Sequence, residues 1–305
     1  MNKTYLYKVA RLTFKVIFQS TGEHDADGFI NDEDLITSCR PFLVEGTSDE
    51  PCCFTLTVDD TARPNNKGRE IGQFDCGGNN HGVYRLENGD YQIVVSDVCN
   101  RKCCLLQANA DFSCGTVALR GDRSMRAFGL NNTLMMMFAF ANAQNGTLLM
   151  HSSVIRKDGT GYLFLGVSGT GKSTHTQHWL DWVEGSDLMN DDNPVVRFID
   201  GQTLVFGSPW SGKTPCYRNI EAPAGGFVQL KQAPYNKISR MGVINTFASI
   251  LPSCSVMKWD KRVYTGICDT VGHVIETTPC FFLENLPDHE AVELSFEALT
   301  GKPLK

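Results

Sequence analysis

LLMHSSVIRKDGTGYLFLGVSGTGKSTH, residues 148–175, is the stretch on which the reading of this chain turns. Two apolar runs, 148–156 and 161–167, are separated by the turn-forming tetrad Lys157-Asp158-Gly159-Thr160 and read as strand, turn and strand. Gly166-Val167-Ser168-Gly169-Thr170-Gly171-Lys172-Ser173 then matches GxxxxGK[ST] in full, and 172–183 reads as a helix. Strand, glycine loop and helix is the setting in which this motif holds phosphate. The glycines let successive backbone N–H groups wrap a polyphosphate, and the helix N-terminus adds a dipole that favours negative charge. Lys172 is placed to reach the β and γ phosphates, the Ser173 hydroxyl to bind Mg²⁺, and Thr174 to touch the α phosphate. Gly166 to Thr174 are therefore the candidate nucleotide-binding residues, and ATP with Mg²⁺ is the expected ligand.

Downstream, residues 187–190 form an apolar-leaning strand that runs into Asp191-Asp192. A carboxylate at the end of a strand beside the P-loop can hold the second side of Mg²⁺, and its neighbour can take a proton from an attacking hydroxyl. A solvated acidic corner is the plainer alternative. Further strands are expected at 188–191, 195–199, 203–206 and 226–230, with Asp200-Gly201 joining two of them in a hairpin. A helix is expected at 238–250, a strand at 279–283 and a closing helix at 288–299. Because hairpins flank the P-loop strand, the sheet should be mixed rather than purely parallel. Upstream, 124–145 has few strand breakers and a Met-rich run, which fits a buried helix leading into this half.

The first 120 residues alternate apolar and polar positions in short runs broken by Gly, Asn and Asp, the pattern of antiparallel strands. Residues 5–18 read as a strand, 82–86 and 91–95 as a hairpin through Glu87-Asn88-Gly89-Asp90, and the polar segment 61–80 as a loop. The expectation is an α/β chain with α+β elements. A β-rich domain over 1–122, either substrate-binding or a sheet extension of the core, would precede a P-loop kinase domain over 123–305.

Composition narrows the partners. A formal net charge of -6 over 305 residues gives no basic face for a phosphate backbone, so nucleic acid is not expected. The N-terminal residues lack the apolar core of a signal peptide, and the longest apolar stretch, 134–141, is far short of the roughly 20 residues that cross a bilayer. A cytoplasmic protein without membrane contact is the expectation. Twelve cysteines then read as reduced thiols. Eight lie early in the chain (Cys39, Cys52, Cys53, Cys76, Cys99, Cys103, Cys104, Cys114), but no CxxC pair occurs and adjacent cysteines on a strand face opposite ways, so buried free thiols are preferred over structural zinc.

The stretch 148–175, followed by LMNDDNPVV at 188–196, resembles the core shared by HPr kinase/phosphorylase and the ATP-type phosphoenolpyruvate carboxykinases. The likeness lies in the Met150-His151 pair before the P-loop, the short hairpin, the glycine loop and an Asp-Asp pair about 20 residues on. It covers residues 148–213 well and leaves the first 120 residues uncovered. Small HPr-kinase-like proteins also carry a motif similar to Gly207-Ser208-Pro209-Trp210-Ser211-Gly212-Lys213. The resemblance implies a PEPCK/HPr-kinase-like P-loop core, with Asp191 as general base, Asp192 as Mg²⁺ ligand beside Ser173, and His151 orienting the base or touching the metal. It also makes homo-oligomers plausible. Lys213 and Arg218, in a polar loop, would hold the transferring phosphate or an acidic group of the acceptor, or be solvated charges. His178 reads as a surface residue, while His175 lies on the same helix.

The function these residues point to is a kinase moving the γ-phosphoryl group of ATP to a hydroxyl of a protein, a peptide or a small molecule. A carboxykinase acting on oxaloacetate and a nucleotide-binding scaffold without chemistry are the alternatives. HPr itself is a poor candidate acceptor, since the glycine-rich arginine signature that follows the Asp pair in HPr kinases has no clear match here.

Overall fold

A computed structural model describes residues 2–19, 31–46, 51–75 and 80–304. Cys76 and part of the expected loop 61–80 lie outside the described residues. The chain divides into two compact units, Met1–Asn142 and Ala143–Lys305.

The first unit is built on one sheet of strands β1 (Lys3–Val9), β2 (Leu12–Phe18), β3 (Leu43–Val44), β4 (Thr55–Val58), β5 (Arg69–Asp75), β6 (Asn80–Arg85), β7 (Tyr91–Ser96), β8 (Lys102–Ala108) and β9 (Cys114–Leu119), in the order β3-β1-β2-β4-β9-β8-β7-β6-β5. Most pairs are antiparallel, but β4 lies parallel to both β2 and β9, so the sheet is mixed. The expected single strand over 5–18 is a hairpin. Its turn residues Ala10 and Arg11 have φ of 49° and 65°, a conformation usually signalled by Gly or Asn, and neither is present. The expected loop 61–80 contains β5, which pairs with β6. Helix α1 (Arg123–Ala141) starts on Asp122, whose carboxylate accepts from Met125 N. It packs on β7, β8 and β9 with Leu130, Leu134, Met137, Phe138 and Phe140 buried. The helix therefore belongs to the first unit, and the division falls after residue 142 instead of 122.

The second unit carries β10 (Thr147–Leu149), β11 (Ser152–Lys157), β12 (Thr160–Leu165), α2 (Lys172–Trp182), β13 (Ser186–Asp192), β14 (Val195–Ile199), β15 (Gln202–Phe206), β16 (Glu221–Gln232), β17 (Lys237–Arg240), α3 (Val243–Ile250), α4 (Lys261–Thr277), β18 (Cys280–Asn285) and α5 (His289–Thr300). The strand order is β10-β14-β15-β16-β12-β11-β13, with β18 also on β16 and β17 on β18. β12 is parallel to β16, and β16 to β18, while β11 is antiparallel to both β12 and β13. The sheet is mixed, and the chain is an α/β protein.

Three local expectations change. Residues 148–156 are two strands broken at Met150-His151, because β10 pairs with β14 whereas β11 pairs with β12 and β13. The expected helix 238–250 opens as strand β17 before α3 begins. Helix α4 was not anticipated, although Val263, Ile267, Thr270, Val271 and Val274 form its buried stripe. Beneath α2, Trp179 and Val183 pack with Phe164, Val228, Leu283, Val292 and Phe296, which fixes the helix on the sheet.

Candidate phosphate and metal site

The glycine loop leaves β12 at Gly166, whose φ of 153° and closeness to Thr170 Oγ1 exclude a side chain. Thr170 N donates to Val167 O at 3.2 Å, and Gly171, at φ 96°, caps α2. Lys172 begins the helix with only 9% of its surface exposed, and its ammonium donates to Gly166 O at 2.7 Å. Burial pushes its pKa below the ordinary lysine value, while the carboxylates of Asp192 and Asp191 act in the opposite direction. Ser173 and Thr174, in the first turn of α2, are exposed.

The acid pair comes from the end of β13. In the register of β11 and β13, Ser153 faces Asp191 and Ser152 faces Asp192. Asp191 is 5% exposed and its oxygens take three groups: Ser153 Oγ donates at 3.2 Å and Thr214 N at 3.2 Å, with Ser173 Oγ at 3.5 Å. Asp192 is the open member. One third of its side chain is exposed, and Oδ1 lies 3.2 Å from His151 Nε2. The break between β10 and β11 is what presents His151: its N–H donates to Ser253 O at 2.6 Å, and its ring stands out of the strand toward Asp192.

A loop after β15 closes on the pair. Asn190, fully buried, accepts from Asp192 N at 3.0 Å and Asn193 N at 2.9 Å, and donates to Ser208 Oγ and Trp210 O at 3.2 Å each. This one amide joins the turn holding the aspartates to the loop holding Lys213. Gly212 passes so near that a Cβ would meet Asp191 O at 2.8 Å and Asp192 Cβ at 3.1 Å. Lys213 is exposed and sits between Gly212 and Thr214, both of which touch the acid pair. Gly212→Ala should therefore displace the carboxylates while leaving the fold intact. Turnover is expected to fall by about 10- to 100-fold, as sub-ångström to ångström misplacement does in active sites, with an unchanged melting temperature checking the fold.

No family model and no curated protein sequence matches the chain. Among solved structures, the chain is similar to an HPr(Ser) kinase/phosphatase from Coxiella burnetii, with 12% identity over 50% of this chain and 93% of that one. The TM-score of that superposition is 0.29, below the level of chains that share a fold.

Other residues singled out from the sequence lie elsewhere. Arg218 does not face the phosphate loop: its guanidinium donates to Leu188 O and pairs with Asp187 at 2.9 Å, where Arg156 also binds at 2.7 Å. Burial would raise the Asp187 carboxyl, but hydrogen bonds from Arg156 and Arg218 outweigh it and hold it below the ordinary value. His178 is half-buried and lies against Trp182, with ring centroids 4.5 Å apart. His175 is a core residue, its ring against Phe164 and its Nε2 3.1 Å from Ser295 Oγ. Ser153, Asn190 and Thr214 were not foreseen as site residues: strand register brings Ser153 to Asp191, the loop after β15 brings Thr214, and the tie that Asn190 makes to that loop has no signal in the chain beside it.

Burial lowers His175 from 6.5 to about 3, so the folded protein keeps the ring neutral where the unfolded chain protonates it. The stability this supplies is fully present above pH 6.5 and is lost as pH falls toward 3, by at most about 1.4 kcal/mol per pH unit. Urea unfolding at pH 7 and pH 5 should show that loss. His175→Phe should reduce the difference between the two pH values.

Among the described residues the thiols of Cys39, Cys103, Cys104, Cys216, Cys254 and Cys280 are buried. Cys99 and Cys114 are exposed, contrary to the expectation of uniformly buried thiols. Among the described residues no helix is long and apolar enough to cross a membrane.

Proposed function

We propose that the second unit is an ATP- and Mg²⁺-dependent phosphotransferase that moves the γ-phosphoryl group to a hydroxyl of a protein, a peptide or a small molecule. The observation that carries this reading is the meeting of Lys172, Ser173, Asp191, Asp192 and His151 at one end of the sheet, with Ser173 Oγ 3.5 Å from Asp191 and His151 Nε2 3.2 Å from Asp192. The donors suit magnesium: a hydroxyl and carboxylates are hard oxygen ligands, and Ser173 with the acid pair would hold a Mg²⁺ ion that would neutralise phosphate charge.

The geometry favours an exchange of the two aspartate roles implied by family resemblance. Asp191 is buried next to Ser173, so it is the better partner for the metal. Asp192 is open and paired with His151, so an acceptor hydroxyl can reach it. The acceptor oxygen forms a bond to the γ phosphorus as the bond to the β–γ bridging oxygen breaks, ADP departs, and the hydroxyl proton passes to the Asp192 carboxylate. Lys172 steadies charge on the transferring group from the loop side, and Lys213 is available from the opposite loop.

Incubating purified protein with Mg²⁺ and γ-labelled ATP against serine peptides, serine-containing proteins and small hydroxyl compounds tests the reading. Label on an acceptor hydroxyl supports it. Oxaloacetate-dependent consumption of ATP would support carboxykinase chemistry instead, and nucleotide binding with no transfer to any acceptor would sink the enzymatic reading.

A further inference from the structure

We propose that Asn190 is a positioning residue: its amide clamps the loop that carries Lys213 onto the turn that carries the acid pair, and so fixes where that cation stands beside the transferring group. The inference rests on the phosphotransferase reading and names what aligns the two sides of that same site.

Lys213 has no side-chain tie of its own. It is exposed, and among the described residues no carboxylate pairs with it. A cation assists transfer only where its place is set in advance, so the backbone on either side must set it. Successive side chains of a strand point to opposite faces, so Asn190 and Asp191 leave β13 in opposite directions. The loop is tied to both. Trp210 O accepts from the Asn190 amide at 3.2 Å, and Thr214 N donates to the Asp191 carboxylate at 3.2 Å. Between these ties Gly212 crosses the strand end, close against Asp191 O and Asp192 Cβ, and Lys213 follows it. Asp191 also serves Ser153 and Ser173, whereas the Asn190 side chain serves the clamp alone.

The position demands an amide. The N–H groups of Asp192 and Asn193 only donate and Trp210 O only accepts, which fixes the orientation of the Asn190 side chain and calls for an acceptor and a donor on one short planar group. Leucine is close to the same size and supplies neither. On the loop side, Ser208 is fully buried, and its Oγ accepts from Asn190 Nδ2 at 3.2 Å and Trp210 N at 3.1 Å while donating to Asn193 O at 2.5 Å. The Trp210 side chain, buried as well, anchors the base of the loop. Polar groups this deep are left without partners when the amide is removed, so the loop opens more often.

Two measurements on the full chain test the clamp. Limited trypsin digestion reads the loop, because cleavage after Lys213 requires it to open, and cleavage after exposed Lys258, in the turn before α4, is the internal reference. Asn190→Leu should speed cleavage after Lys213 by about tenfold and leave that after Lys258 unchanged. Calorimetry with Mg-ADP, with and without fluoroaluminate as a stand-in for the phosphoryl group in flight, reads the cation. Fluoroaluminate should tighten wild-type binding by about tenfold or more. Lys213→Ala and Asn190→Leu should each lose most of that gain, the double variant should lose no more than either, and Mg-ADP alone should bind all of them within about threefold. Should the Asn190→Leu variant not melt cooperatively, Ser208→Ala, which removes the loop's half of the contact, decides in its place. Cleavage after Lys213 at the wild-type rate, equal acceleration after Lys258, or a fluoroaluminate gain that is absent from wild type, survives Asn190→Leu or falls additively in the double variant would overturn the clamp while nucleotide binding stands. If wild type binds Mg-ADP neither alone nor with fluoroaluminate, the phosphotransferase reading falls and the positioning role falls with it.

Discussion

Lys172→Ala is expected to remove phosphoryl transfer and to weaken binding of Mg-ATP. The ammonium is nearly enclosed, held 2.7 Å from Gly166 O at the foot of the loop, and faces the side on which both aspartates lie. A fixed cation in a water-poor site stabilises developing charge far better than a solvated one, and loss of one such group costs about 10²–10³ in rate. Single-turnover transfer of labelled phosphate should fall by at least that factor. Lys172→Arg should restore little, because a planar guanidinium cannot replace a point charge in the same enclosed volume. Wild-type transfer by the alanine variant would show that residues 166–173 do not hold the triphosphate.

Asp192→Asn and Asp191→Asn should fail in different ways, and that difference separates proton from metal. Asp192 is open to an acceptor and paired with His151, so its amide variant should retain Mg-ATP binding and lose about 10²–10⁴ in the rate of transfer. Asp191 lies under Ser173, Ser153 and the Thr214 N–H, so its amide variant should require about 10- to 100-fold more Mg²⁺ for half-maximal activity. Activity of Asp191→Asn should be partly recovered at high Mg²⁺, and that of Asp192→Asn should not. The opposite pattern would return the two residues to the roles that family resemblance implies. His151→Ala is expected to follow Asp192→Asn with a smaller loss, since it acts through the carboxylate it touches.

The two experiments bear on separate halves of the reading. Lys172 tests whether phosphate is held at all, and the aspartates test whether holding it leads to chemistry. A scaffold that binds nucleotide without turnover would lose affinity in the lysine variant and show no transfer in any of them.

The strand, glycine loop and helix were legible from residues 161–183 because everything that shapes them is local. An apolar strand, glycines at positions of positive φ and a helix start follow one another in the chain, and the signal for each lies within a few neighbours. The hairpin of β6 and β7 was legible for the same reason, with Gly89 supplying its turn. The hairpin of β1 and β2 was not, since Ala10 and Arg11 carry no turn signature and only the pairing of the flanking strands holds them at positive φ. Helix α4 had its apolar spacing on view, but glycine and threonine within the stripe lowered the contrast by which a helix is read.

The candidate site, a glycine loop with an acid pair about 20 residues on, was thus visible in short segments of the chain. Which aspartate faces Ser173, why His151 leaves its strand, and that Arg218 serves Asp187 were settled in three dimensions. Side chains alternate across a strand, so a register change of one residue exchanges Asp191 and Asp192, and the β11–β13 pairing carries such a shift, with Val154 opposite Asn190 and Ile155 opposite Leu188. Register follows from the packing of the whole sheet, which no short segment encodes.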